Sequence, residues 1–245
     1  MKRKILISAA ILVFIPIVLI TPKAIFWLAE SDKPQVIGKS VSRITTDQKI
    51  ISLTFDDGPN PPCTDSILNV LKRNNVKASF FVVGKYAQAF PWTVQRVINN
   101  GHLIGNHSWS HKNLILKTPW HVAREIDKTD SIIRNCGYIG DIFFRSPRGL
   151  KLLVLPYILA KKSRYNILFD AVAEDWEDIP IERMVKNVCD HVRPGSIILL
   201  HDGDGDKVKA DRSATVRLTE IIIDTLIKQG FRFVTIPELL NASGQ

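Results

Sequence analysis

Two adjacent carboxylates, Asp56 and Asp57, stand where a short apolar run over residues 50–55 meets Gly58-Pro59. Gly-Pro cannot continue a strand, so both acids are expected at the C-terminal mouth of a buried strand. Paired carboxylates at one strand end can divide their work, one binding a cation while the other moves protons. Taken by itself the stretch reads more simply as a solvated Asp-Gly turn.

The same kinds of residue recur downstream. His107-Ser108-Trp109-Ser110-His111 sets two imidazoles four residues apart, a spacing that zinc sites use and that brings both rings to one side if the segment turns helically. Arg145-Ser146-Pro147-Arg148-Gly149 brings a guanidinium, Asp175-Trp176 another acid, and Leu199-Leu200-His201-Asp202 another imidazole. Each alone is an ordinary loop. Together they place acids, imidazoles and a guanidinium at successive strand ends, where a purely structural role does not require them. Asp202-Gly203-Asp204-Gly205-Asp206 resembles the start of an EF-hand loop. Lys207 stands where that loop needs glycine and Ser213 where it needs glutamate, so the segment reads as a mobile glycine-rich loop without calcium.

The elements that must position these groups alternate regularly. Strands are expected over residues 50–55, 78–83, from 103, 142–144, 167–173, 197–200 and 231–236. Helical periodicity falls between them, over residues 64–74, 91–99, 119–135, 150–161, 181–192 and 215–229. Thr118-Pro119 is a cap followed by proline at the first helical position. This alternation predicts an α/β fold with a mainly parallel sheet, and seven such units predict a barrel with its site at the C-terminal strand ends.

Composition narrows the classes. The 245 residues carry 33 Lys and Arg against 24 Asp and Glu, a formal charge of +9. The excess is scattered and not interleaved with aromatics, so no nucleic-acid groove is indicated; attraction to an anionic envelope polymer or membrane surface is allowed. Cys63, Cys136 and Cys189 show no C-x-x-C spacing and read as packing residues. At the N-terminus, Lys2, Arg3 and Lys4 precede an uncharged run over residues 5–20 and a second apolar piece over 24–29. This predicts an uncleaved signal anchor: a single pass through the cytoplasmic membrane, with the rest of the chain outside it. Secretion after signal cleavage is the alternative. The chain then divides into an anchor (1–29), a tether (30–48), a catalytic domain (49–240) and a short tail (241–245).

The ordered set Thr54-Phe55-Asp56-Asp57-Gly58-Pro59, His107 to His111, Arg145 to Gly149, Asp175-Trp176 and Leu199-Leu200-His201 closely resembles the polysaccharide deacetylases. These are the NodB-homology enzymes of carbohydrate esterase family 4, and the resemblance covers roughly residues 49–240. It implies a distorted (β/α)7 barrel and a divalent metal, most often zinc, on Asp57, His107 and His111. Three protein ligands leave a position open, as catalytic zinc requires. By the same resemblance Asp56 is the general base and Arg145 its partner. A backbone N–H near Arg148 helps to receive the developing oxyanion. His201 protonates the leaving amine, Asp175 orients that imidazole, and Leu199 and Trp176 line a pocket for the acetyl methyl. The sequence departs from the family at Arg148, often an aromatic, and at Val172, commonly an Asp. The implied reaction is N-deacetylation of an N-acetylated envelope glycan: peptidoglycan, a chitin type, or poly-N-acetylglucosamine. Deformylation or deacetylation of a lipid-linked amino sugar and a catalytically inactive anchored carbohydrate-binding protein are the alternatives.

Overall fold

The computed structural model describes residues 29–30 and 37–242. Its central strand is β2 (Ile50–Asp56), buried at every position. β2 pairs in parallel with β3 (Ser79–Val82), with β7 (Ile197–His201) and, at its start, with β8 (Arg232–Phe233). β4 (Leu103–Asn106) continues the sheet beyond β3, and β6 (Ala171–Val172) continues it beyond β7. A second parallel pair joins β1 (Lys39–Val41) to β5 (Tyr165–Ile167), and Phe144 bridges Asn106 of β4 to Asn166 of β5. Parallel strands are covered on both faces, which is why β2 is buried at every position, its Ser52, Thr54 and Asp56 included, and why β7 is apolar up to His201.

The covering helices are α1 (Cys63–Arg73), α2 (Gly84–Ala89), α3 (Pro91–Asn99), α4 (Pro119–Asn135), α5 (Val154–Lys161), α6 (Ile181–Cys189), α7 (Ser213–Lys228) and α8 (Ile236–Asn241). Leu53 and Phe55 of β2 pack with Ile67 and Leu71 of α1 and Ile222 of α7 in the largest apolar cluster. Each such fully buried side chain contributes about 1.5–3 kcal/mol. At the head of α4, the Thr118 hydroxyl accepts the His121 N–H, as the sequence predicts.

Register then decides what meets what. Asp56 lies opposite His201, and Val82 opposite Asn106, so the ends of β2, β7 and β4 open on one rim.

Several expectations are corrected. Residues 142–144 form no strand; Phe144 alone bridges, its N–H to Tyr165 O and its carbonyl to Ile167 N. The strand expected over 167–173 splits into β5 and β6 around Asp170, whose carboxylate accepts the Ser196 hydroxyl and the Ile197 N–H while its own N–H donates to Ile197 O. The helix expected from 150 starts at Val154, which leaves Pro156 in its first turn, where a missing N–H costs nothing. The last strand stops at Phe233 because Thr235 and Glu238 form a capping box that opens α8. Residues 37–48, read as part of a tether, supply β1 and the buried Ile44, whose N–H donates to Gly195 O at 3.0 Å.

The expected anchor falls on residues 1–28, with Ala29 at its end, and so lies almost wholly outside the described residues. The single-pass placement at the cytoplasmic membrane is corrected: among the described residues no helix is long and apolar enough to cross a membrane.

Candidate active site

The two acids leave β2 in different directions. Asp57 is in the left-handed region at φ 75, so the chain reverses there and the two carboxylates separate. Gly58 follows because nothing larger fits; a Cβ on it would lie 2.1 Å from Asp202 Oδ2. Asp56 Oδ1 accepts Arg145 Nη1–H at 2.7 Å. Arg145 is wholly buried and also donates to Thr54 Oγ1, Ile167 O and Leu168 O. Those partners satisfy its fork, which is what makes a buried guanidinium tolerable.

His107 to His111 is an irregular loop, not the helical turn that would have aligned the two rings by spacing alone. Ser108 and His111 both have positive φ. The loop is held from outside: Asn106 Oδ1 accepts the Ser108 N–H, and Glu125 Oε2 on α4 accepts both the N–H and the hydroxyl of Ser110. The imidazoles nonetheless converge, with Asp57 Oδ1 3.4 Å from His107 Nε2 and 3.1 Å from His111 Nε2. Ligand atoms of all three side chains lie within 4.8 Å of one another.

This set fits a metal ion. Asp57 Oδ1 is buried with no hydrogen-bond partner among the described residues, although two ring nitrogens face it. His107 Nδ1 lies 2.9 Å from Arg145 O, which assigns the N–H to Nδ1 and turns the Nε2 lone pair inward. A carboxylate oxygen and imidazole nitrogens gathered round one point are the donor set of a zinc site with an open side. The charges agree. Burial pushes the Asp57 carboxyl up, but His107, then His111 and His201, hold it well below the usual carboxylate range. Burial pulls His107 down, yet Asp56 and Asp57 outweigh it and raise its pKa. The negative charge that draws a proton onto His107 is the charge a divalent cation would neutralise.

Across the cleft, His201 Nδ1 lies 2.8 Å from Asp175 Oδ1, and Asp175 Oδ2 accepts the His201 N–H and the Thr215 hydroxyl. Burial alone would lower the His201 pKa, but Asp175, and behind it Asp57 and Asp56, push it up to about 9. Val172, where the family commonly carries an acid, leaves this contact intact. Trp176 meets the His201 ring edge-on at 5.1 Å and is half exposed, while Leu199 is buried beneath. Asp56, Asp57, His107, His111, Trp176, Leu199 and His201, with Arg148 at the rim, line one cleft of about 700 Å³; Arg145 and Asp175 are buried behind that lining.

Residues outside the expected site set also support this cleft. Asp202 is buried, accepts the Thr64 hydroxyl at 2.6 Å, and is pushed up to about 7 chiefly by burial. The Asp202–Asp206 segment is not the free loop its glycines suggest. Asn60 Nδ2 holds Asp202 O, Arg212 holds Gly203 O, and the Tyr86 hydroxyl holds Gly205 O. Glu125 gave no signal, because an acid mid-helix reads as a solvated position.

The family described as polysaccharide deacetylase matches residues 43–162. The chain is 36% identical over 194 residues to a peptidoglycan-N-acetylglucosamine deacetylase of Bacillus cereus, an overlap of 79% of this chain and 69% of that protein. It is 31% identical over 209 residues to a chitooligosaccharide deacetylase of Azorhizobium caulinodans, covering 82% of this chain and 99% of the relative. The crystal structure of the Bc1960 peptidoglycan N-acetylglucosamine deacetylase superposes with a TM-score of 0.75 at 32% identity, over 82% of this chain and 92% of that one.

Proposed function

The chain belongs to the polysaccharide deacetylase family, and we propose that it is a metal-dependent N-deacetylase of an envelope glycan containing N-acetylglucosamine. Its relatives make it a hydrolase of carbon–nitrogen bonds other than peptide bonds. The observation that supports metal dependence is the buried, unpartnered Asp57 Oδ1 facing two imidazoles. The catalytic unit assigned is residues 49–240, on the distorted (β/α)7 plan.

Asp57, His107 and His111 would hold the cation, with zinc the best match to their chemistry. A divalent cation there supplies Lewis-acid polarisation of the amide carbonyl and acidifies the attacking water. Asp56 takes the proton from that water, and Arg145 fixes the carboxylate so that Oδ2 faces the cleft. The Arg148 backbone N–H donates to the carbonyl oxygen as charge develops on it. His201 then delivers a proton to the departing sugar amine. Asp175 holds the ring with Nε2 toward the substrate and stabilises the imidazolium before transfer. Leu199 and Trp176 border the space for the acetyl methyl and exclude larger acyl groups.

The test is acetate release by the zinc-loaded chain from peptidoglycan, chitooligomers and poly-N-acetylglucosamine, with metal content measured in parallel. Acetate from at least one of them, abolished by His107→Ala, is the expected result. Stoichiometric metal without acetate from any substrate would overturn the reaction, and turnover after complete metal removal would overturn the metal dependence.

A further inference from the structure

The segment that imitates a calcium loop packs against the metal triad. His111 turns Nε2 toward Asp57, which leaves its Nδ1 facing Gly205 and Asp206. That nitrogen is buried and has no hydrogen-bond partner among the described residues. A metal-ligating imidazole almost always donates its other N–H to a carboxylate, carbonyl or water, which fixes the ring and its tautomer. His107 meets this requirement through Arg145 O. Among the described residues the carboxylate that faces His111 Nδ1 is that of Asp206, its Oδ1 3.7 Å away. Closing that gap to hydrogen-bond distance takes a shift of roughly 0.8 Å, by a side chain that is 62% exposed. The approach exists because residue 205 lacks a Cβ, which would otherwise stand 2.0 Å from Nδ1. Asp206 Oδ2 is held in turn by Arg148 Nη2 at 3.3 Å.

We propose that Asp206 is the positioning carboxylate of His111 and that Arg148 holds it in place, a clasp that ties the rim of the cleft to the metal triad. This rests on the metal-dependent reading above. With the cation bound, Asp206 accepts the Nδ1–H, locks the ring and makes Nε2 a better donor to the metal. Stability does not account for the pair, since an exposed ion pair contributes only about 0–1 kcal/mol. Arg148 is itself open to solvent, so a glycan group that engages it changes the restraint on Asp206 and is felt at the metal.

The experiment titrates the metal-free full chain with zinc against a competing chelator, and with cobalt(II) for its visible spectrum. Asp206→Ala should weaken zinc binding about 10- to 100-fold and alter the cobalt bands. Asp206→Glu should recover part of the loss, and Arg148→Gln should lose less than Asp206→Ala. Asp204→Asn removes the same charge from the neighbouring acid and should leave affinity unchanged. Melting of the metal-free variants should match the parent. Parental affinity and spectrum in Asp206→Ala would overturn the clasp, as would an equal loss in Asp204→Asn. Failure of the parent itself to bind zinc would instead overturn the metal-dependent reading.

Discussion

Arg145 Nη1 stands 2.7 Å from Asp56 Oδ1, the guanidinium wholly buried and the carboxylate nearly so. A pair so enclosed cannot be halved cheaply, because either partner alone leaves an uncompensated charge beside Asp57. Arg145→Met should therefore cost about 3–5 kcal/mol of folding stability, besides removing the group that orients Asp56. Arg145→Lys should rescue little, since an ammonium cannot also reach Thr54, Ile167 and Leu168 as the fork does. Urea denaturation of the metal-free protein gives the answer. A loss below about 1 kcal/mol would mean the pair behaves like an exposed one.

The strand ends were legible because the chemistry concentrates there. Asp56, Asp57, His107, Arg145 and His201 each come soon after an apolar run that stops, His111 follows His107 by four residues, and the β2–β7 register brings Asp56 level with His201. What holds them was less legible. Glu125 lies on a helix 15 residues from Ser110 and reaches it only through the fold. Asp206 sits in a segment whose glycines suggest freedom, and only packing against His111 gives those glycines a purpose. Short strands failed for a related reason: near residues 144 and 170, single bridges and one carboxylate replace ladders that periodicity alone would extend.

Glu125 offers a test of that outside support. Glu125→Ala strips the acceptor from a part-buried N–H and hydroxyl of Ser110, which costs about 1–3 kcal/mol and slackens the loop carrying both imidazoles. Zinc affinity should fall with it. Glu125→Gln keeps a carbonyl oxygen in the same place and should recover most of both. Thermal melts and zinc competition on the two variants decide; if they are indistinguishable, the carboxylate does not hold the loop.

Asp175 should set the alkaline limit of activity. His201 must be protonated to release the amine, so the rate falls as pH rises through its pKa. Asp175→Asn keeps the shape but removes the charge that raises that pKa, and the alkaline limb should move to lower pH. Stability follows the same sign. His201 is raised from 6.5 to about 9, so its contribution is complete below about 6.5 and lost as pH climbs toward about 9. In Asp175→Asn that window should narrow from its alkaline side. An unmoved limb in the pH dependence of kcat would remove Asp175 from the mechanism.

The adjacent acids should fail in different ways. Asp57 Oδ1 faces both imidazoles and has no other partner, whereas Asp56 is tied to Arg145 and stands 3.7 Å from His107 Nε2. Asp56→Asn keeps its size and can still meet the guanidinium, yet it cannot accept a proton; it should keep its metal and lose ~10²–10⁴-fold in rate. Asp57→Asn tolerates the left-handed backbone at this position, since asparagine adopts it readily. It therefore isolates the loss of a charged ligand: zinc affinity should fall first, and excess zinc should restore part of the activity. His201→Ala should resemble Asp56→Asn, with metal retained and rate lost. Metal content beside turnover for the three variants separates the roles. Should Asp56→Asn arrive without metal while Asp57→Asn keeps it, the two carboxylates have exchanged duties, and the geometry around Asp57 Oδ1 would have to be explained without a cation.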